Sequence, residues 1–454
     1  MGLGIAAIAA VPTAMADINP WIRQNLYSPG KWDTAGPGTA TPWLHPPIWS
    51  PGQGWGLLGG EVEANNVTGS WGGWRDELVA RGLALEAAYF GQFAANPIGG
   101  ESQGASWRGG LALGAFADLD RLFDVERTYF TMSFTYNDGT SSLTPTHVGN
   151  EFPVQLSSAT DNRYTRLVHL AVGTQLFDNT VALNGGRIVA GEQFANLAQA
   201  CNSVNQAICG NPIVAPRNIT FPTYPNAVWG MNFEYKPDFA WYAKTGAYAV
   251  ESDLLDDTNG GTNFGLPDGA GPLVLAELGY LFGRTPARGP EGGLTPASLV
   301  SSGTYKVGAY YDGEQLTNLS TGDTQRHTWG VYAMGEQQLY RERTNSDDGV
   351  WAWLALSYAP PDVNRVQFMA AGGVSYNGLI DGRPDDTISL IVANGHFSDR
   401  LPDQSSETLI EADLRIQALP SVYIEPNLQY IINPDGRSTI DSALVTGIAL
   451  GVNF

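Results

Sequence analysis

Residues 408–418 read TLIEADLRIQA, residues 422–432 read VYIEPNLQYII, and residues 442–454 read SALVTGIALGVNF. In the first stretch Ile410, Ala412, Leu414 and Ile416 share one face, and Glu411, Asp413, Arg415 and Gln417 share the other. In the second, Val422, Ile424, Leu428, Tyr430 and Ile432 oppose Tyr423, Glu425, Asn427 and Gln429. In the third, Leu444, Ile448, Leu450, Val452 and Phe454 oppose Val445, Gly447, Ala449, Gly451 and Asn453. Side chains of an extended chain change face at every residue, so each stretch is a strand with one apolar face and one polar or small face.

Working outward, strand-length segments separated by Gly, Asn, Asp and Pro clusters continue back to Leu83. They fall near 83–93, 107–118, 127–137, 164–176, 180–189, 227–235, 240–250, 273–282, 303–312, 327–339, 349–359, 365–377, 386–397, 406–418, 421–431 and 442–454. The count is about sixteen. A soluble sandwich also has alternating strands, but four features favour a barrel in a membrane. The strands have the length of a tilted bilayer crossing, and their number is even. Connections after odd strands are longer than those after even strands, with the Pro/Gly-rich stretch near 283–302 as the exception; Leu419-Pro420 and Phe177-Asp178-Asn179 read as tight periplasmic turns. Tyr129, Phe130, Tyr136, Tyr280, Phe282, Tyr310 and Tyr311 stand at strand ends, as interfacial girdles would. The prediction is all-β: a transmembrane antiparallel β-barrel of about sixteen strands over 83–454, with an apolar lipid face and a polar lumen.

Composition agrees. Among 454 residues, 24 basic against 45 acidic side chains give a net charge of −21, so a nucleic-acid partner is excluded for want of a basic face. Aromatic residues make up 11%, too many for a disordered chain. No apolar run past residue 17 reaches the roughly 18 residues of a spanning helix. Residues 2–11 are small and apolar, and Ala14-Met15-Ala16 precedes Asp17 in the form of a signal-peptidase site, so 1–16 reads as a signal peptide without the usual basic start. Residues 17–60 hold Trp21, Trp32, Trp43, Trp49 and Trp55 with no regular period. The region 17–82 is therefore an irregular, partly helical N-terminal segment, whose one short helix is WRDELVARG at 74–82, ended by Gly82. In an exported protein Cys201 and Cys209 are expected to form a local disulfide, two separate thiols being the alternative; zinc is unsuited to two thiols with no nearby His.

Several ordered motifs resemble the carbohydrate-selective porins of the OprB type. The opening Gly69-Ser70-Trp71-Gly72-Gly73-Trp74-Arg75-Asp76-Glu77-Leu78, with Gly82 beyond, is similar to that family's opening segment. Gly186-Arg187 with Glu192-Gln193-Phe194-Ala195, Glu277-Leu278-Gly279-Tyr280 and Lys306-Val307-Gly308-Ala309-Tyr310-Tyr311 resemble further family stretches. The most specific pieces are YNGLIDGRPDD at 376–386 and EPNLQYIINPDG at 425–436. The resemblance spans about 69–454. The Trp-rich 17–60 stretch and the Cys201–Cys209 insertion depart from the pattern, and both bear on pore access.

The resemblance implies an outer-membrane barrel of a Gram-negative bacterium whose narrow lumen passes small sugars, glucose-like monosaccharides, into the periplasm by diffusion. Its partners would be small carbohydrates and outer-membrane lipid, with a monomer favoured over a trimer and no cofactor. Carboxylates and guanidinium groups bond sugar hydroxyls, and aromatic faces cover the C–H side of a pyranose. Strand parity places Glu411, Asp413, Arg415, Gln417, Glu425, Asn427 and Gln429 in the lumen, joined by Lys244, Glu277, Lys306 and, at a constriction, Arg187. Arg383 reads as a turn support, and the acidic runs at 253–257 and 385–386 as solvated loop charge rather than Ca²⁺ ligands. The rivals are an outer-membrane barrel enzyme, a soluble periplasmic carbohydrate-binding protein or glycosidase, and a barrel without a pore that acts as an adhesin or structural anchor. Against an enzyme, there is no G-x-S-x-G or H-E-x-x-H, and His45, His147, His169, His327 and His396 are scattered.

Overall fold

A computed structural model describes residues 66–156, 163–177, 180–237, 240–250, 254–255, 259–265, 271–282, 303–342 and 348–454. The readings for 1–60, for residues 178–179, for 283–302 and for the acidic side chains of 253–257 lie outside the described residues.

Sixteen strands follow in order: β1 (Leu83–Gly100), β2 (Gly104–Asp118), β3 (Thr128–Gly139), β4 (Tyr164–Leu176), β5 (Val181–Ile188), β6 (Val228–Tyr235), β7 (Trp241–Val250), β8 (Gly271–Phe282), β9 (Gly303–Thr317), β10 (Thr324–Arg341), β11 (Gly349–Tyr358), β12 (Val366–Asn377), β13 (Thr387–Phe397), β14 (Ser406–Leu419), β15 (Val422–Ile432) and β16 (Asp441–Asn453). Each pairs antiparallel with the next, and β1 pairs with β16, Ala88 opposite Asn453, to close the barrel. Closure leaves no unpaired strand edge, which is what hydrocarbon demands of a spanning backbone. No helix among the described residues is long and apolar enough to cross a membrane. The helix α1 (Trp74–Ala80) precedes β1, and Gly82 follows it at φ +95°. Arg75 of α1 donates to the carbonyls of Gly69 at 3.1 Å and Phe454 at 2.6 Å, tying the helix to the end of the chain.

The β1–β2 and β9–β10 hairpins run beyond the alternating region, to turns at 101–103 and 318–323. There Asn96 still faces Gly104, and Arg326 faces Gln315. In the β9–β10 extension polar residues occupy both faces, and in the β1–β2 extension small residues and Pro97 interrupt the alternation, so the hydrogen-bonded ladder outlasts the apolar pattern. The long connections after odd strands are thus concentrated at 140–163, 189–227 and 251–270.

Outward side chains such as Val331, Leu354, Leu390 and Leu428 are exposed, forming the apolar belt. The inward face is not uniformly polar. Leu273, Leu275, Ile391, Leu409, Ile431 and Val445 point inside and pack with Phe152, Val154, Phe194, Ile208 and Val214 in one apolar core. These partners come from residues 140–156 and from the 189–227 connection, which fold into the barrel. Burying each large apolar side chain there contributes at most about 1.5–3 kcal/mol.

Two of the expected girdle residues also turn inward. Tyr129 and Tyr310 are 1% and 3% exposed, each ring lying on a glycine directly across the ladder, Gly173 and Gly330. Tyr242 on Gly279, Tyr332 on Gly308 and Tyr248 on Gly230 repeat the arrangement, again directly opposite. A Cβ on Gly279 would lie 2.1 Å from the Tyr242 ring, so only glycine leaves the room. Tyr136, Phe282 and Tyr311 are exposed outside, and Trp241 packs on Tyr280 at 4.6 Å between ring centroids at the opposite end of the barrel from Tyr311.

Candidate functional site

The lumen is narrowed by the connection 189–227, which lies along the inner wall as a partial ring. Successive loop residues meet successive strands. Glu192 Oε2 lies 2.9 Å from Nε2 of His169 on β4. Lys244 of β7 donates to the Gln193 carbonyl, and Ala195 N–H donates to Glu277 Oε2 of β8 at 2.9 Å. Lys306 of β9 donates to the Asn196 carbonyl at 2.8 Å. Gln199 N–H donates to Glu336 Oε2 of β10 at 2.9 Å. Ser389 of β13 donates to the Asn202 carbonyl at 2.9 Å, and Val204 N–H to Glu411 Oε1 of β14 at 3.0 Å. Asn205 donates to Gln429 Oε1 of β15 at 3.0 Å. Lysines stand where the loop presents carbonyls and glutamates where it presents N–H groups, so these buried backbone groups find their complements.

Residues 140–156 complete the circuit. Gln429 Nε2 donates to the Val154 carbonyl at 2.9 Å, and Leu156 N–H donates to Gln92 Oε1 of β1 at 2.8 Å. Glu407 of β14 accepts from the N–H groups of Glu151 at 2.7 Å and Phe152 at 2.9 Å. The two connections are joined by Asn205, whose amide also reaches the Phe152 carbonyl at 3.2 Å. Cys201 and Cys209 are bonded to each other and close the tip of the ring. The return leg is tied back where Asn211 donates to the carbonyls of Gly191 and Phe194, both at 2.9 Å.

At the outer mouth, Arg365 pairs with Glu151 and Asp435, and Arg217 donates to the Glu151 carbonyl at 3.2 Å. Burial pushes the Glu151 carboxyl above its ordinary range, although Arg217 and Arg365 pull the other way. Burial lowers Arg217 in turn, against the fields of Glu151 and Glu407.

The sequence-predicted residues therefore divide into three groups. Lys244, Glu277, Lys306, Glu411 and Gln429 face inward and are capped by the ring. Asp413, Arg415, Gln417, Glu425 and Asn427 also face inward, on the periplasmic side of Glu411 and Gln429. Among them Arg415 stacks over the Tyr423 ring at 3.8 Å, and Gln417 bonds the Leu419 carbonyl at 2.7 Å. One oxygen each of Asp413, Glu425 and Asn427 has no hydrogen-bond partner among the described residues. Arg187 departs from the constriction expected of it. It pairs with Leu170 and Trp229, whose strand-mates Val172 and Met231 are exposed outside, so parity turns it away from the lumen. There it is sealed by its bonds to the carbonyls of Ala227 at 2.7 Å and Asn263 at 3.2 Å. Arg383 does support its turn, bonding Asp386 and the Gln417 carbonyl, the latter at 3.2 Å.

Glu336, Ser389, Glu407 and Gln92 were missed. Glu336 was accessible to the same parity rule, since it shares a face with Tyr332 and Met334 opposite Val331 and Ala333. Ser133 Oγ also lies 2.8 Å from His169 Nδ1, completing a Ser–His–Glu line. Ser133 is 2% exposed on a wall strand, and the line serves to fasten Glu192. No group of His, Cys, Asp or Glu among the described residues is arranged to hold a metal ion.

Comparison with known proteins gives a consistent picture. Residues 102–454 match the family described as carbohydrate-selective porin, OprB family. Porin B of Pseudomonas aeruginosa is 26% identical over 441 residues, covering 86% of this chain and 91% of that protein. The high-pH structure of Pseudomonas putida OprB superposes with a TM-score of 0.77 at 22% identity, covering 87% of this chain and 99% of that one. Its low-pH structure gives 0.55 at 21% identity, over 86% and 99%.

Proposed function

The chain belongs to the carbohydrate-selective porin, OprB family, and from that premise we propose that its lumen passes single sugar rings of the glucose type and retards larger saccharides. It is an outer-membrane porin of a Gram-negative bacterium for passive carbohydrate diffusion. The observation that carries the finer reading is the ring: chain from two connections, laid inside the wall from β4 round to β1, narrows the passage. On the periplasmic side of the ring the part-exposed side chains of Arg415 and Gln417 face the path, while Asp413, Glu425 and Asn427 are buried on the same inward face. Arg415 on Tyr423 offers guanidinium donors for sugar hydroxyls beside an aromatic face, and the Gln417 amide adds a further polar contact. Each contact is weak alone, which lets a solute leave as readily as it enters. A single barrel as the working unit rests on the resemblance to the family alone.

The test is reconstitution into liposomes followed by swelling rates in glucose, a disaccharide and a neutral amino acid of similar mass. Glucose should enter fastest relative to its size. Equal rates for glucose and the amino acid would overturn sugar selectivity. A cross-linked ladder in the intact outer membrane would overturn the monomer.

A further inference from the structure

We propose that Glu336 on β10 and Glu411 on β14 determine the size limit of the pore, acting as positioning residues through the loop backbone rather than by touching the sugar. The inference rests on the porin reading above and concerns what fixes its calibre. Between Gln199 and Val204 the ring is held to the wall by two carboxylates and by the hydroxyls of Ser375 and Ser389. Residues 199–206, QACNSVNQ, carry no charged side chain, so no charge of their own holds them to the wall. The earlier part of the ring, residues 192–196, is gripped separately by His169, Lys244, Glu277 and Lys306.

The Cys201–Cys209 bridge closes the tip into a short covalent loop. A loop so closed responds to a lost anchor by shifting as a unit, not by local fraying. Both carboxylates are buried, and a buried carboxylate–amide hydrogen bond has a narrow distance range. Each therefore fixes how far the tip stands from the wall, and so the radius left for solute. Radius acts steeply on large solutes and weakly on small ones, which makes a ratio of rates the right measure.

The experiment compares liposome swelling in a trisaccharide with swelling in glucose, a ratio independent of how many channels insert. Glu336→Leu, which removes the acceptor, should change the trisaccharide-to-glucose ratio by about threefold or more. Glu336→Gln keeps a carbonyl oxygen for the Gln199 N–H and should stay within about 1.5-fold of wild type. Ser203→Ala deletes the hydroxyl that donates to Glu411 and leaves the wall intact; it should move the ratio the same way by less. If Glu336→Leu does not fold, Ser203→Ala decides alone. Unchanged ratios in the folded variants overturn the proposal, as does an equal shift in Glu336→Leu and Glu336→Gln. Failure of wild type to admit glucose would instead sink the porin reading, a separate and recognisable result.

Discussion

Replacing Glu277 by Leu should cost the barrel about 3–5 kcal/mol, the range for stripping a buried charge of its partner. Glu277 has no exposed side-chain surface. Its Oε1 lies 3.2 Å from Lys244 Nζ and 3.9 Å from Lys306 Nζ, and accepts from Tyr242 at 2.8 Å. Its Oε2 accepts from Tyr332 at 2.8 Å and from Ala195 N–H at 2.9 Å. Leucine would leave two enclosed ammonium groups facing each other, plus two hydroxyls and one amide without an acceptor. Each orphaned donor adds about 1–3 kcal/mol if taken alone, but these terms share one site and do not sum. The assay is urea unfolding of the detergent-solubilised barrel, followed by tryptophan fluorescence and by the folded band on unboiled gels. The decisive control is the triple variant Lys244→Met, Glu277→Leu, Lys306→Met. Apolar groups of similar volume in place of a buried ionic set are often neutral, so the triple should regain most of the loss. A single variant within about 1 kcal/mol of wild type, or a triple no better than the single, would refute the argument that uncompensated charge dominates there.

Three further outcomes are expected. Reducing the Cys201–Cys209 bridge, or Cys201→Ser with Cys209→Ser, should lower stability by about 2.5 kcal/mol, the loop-entropy value for so short a loop; protease cleavage within 199–210 should appear only after reduction. Burial works to raise the Asp386 carboxyl, but the Arg383 guanidinium and the Gln417 N–H outweigh it and hold it below its ordinary value of 3.8. A depressed folded value stabilises above the unfolded titration range and is lost as pH falls through the folded one. Asp386→Asn should therefore lower the urea midpoint at neutral pH, with the gap to wild type closing as the pH falls below the ordinary carboxylate value and through the lowered folded one; a gap that persists in stronger acid would contradict the ion pair. Gly279→Val should cost about 1–3 kcal/mol or prevent folding, because its Cβ would enter the Tyr242 ring; a fully stable variant on the same urea assay would show that Tyr242 has another place to go.

Much of this was legible in the chain. A period of two specifies which side chains share a face, so the strands, their number and the inward positions of Glu411, Glu425 and Gln429 could be read directly. It does not specify what those faces meet. Leu409 and Ile431 point inward against folded-in chain, not water, and no local pattern announces that residues 192–205 will lie across strands drawn from both halves of the sequence. Tyr129 and Tyr310 misled for a related reason: an aromatic ring at a strand end suits lipid headgroups, and equally suits a glycine on the next strand. Arg187 shows the limit of proximity. It adjoins the loop that narrows the lumen, yet one step of parity separates its side chain from that lumen. The disulfide needed only spacing and compartment, and the placement of Glu336 needed only a wider use of the rule that found Glu277.

The tyrosines seated on glycines also bear on how the barrel is assembled. Each ring fits opposite one residue alone, so a strand that slips by a single position presents the ring to a bulkier neighbour or turns it toward lipid. Five such pairs, lying between β3 and β10, act as keys that turn in only one lock. A zipping sheet can thus check its alignment strand by strand, before the last seam between β1 and β16 is closed.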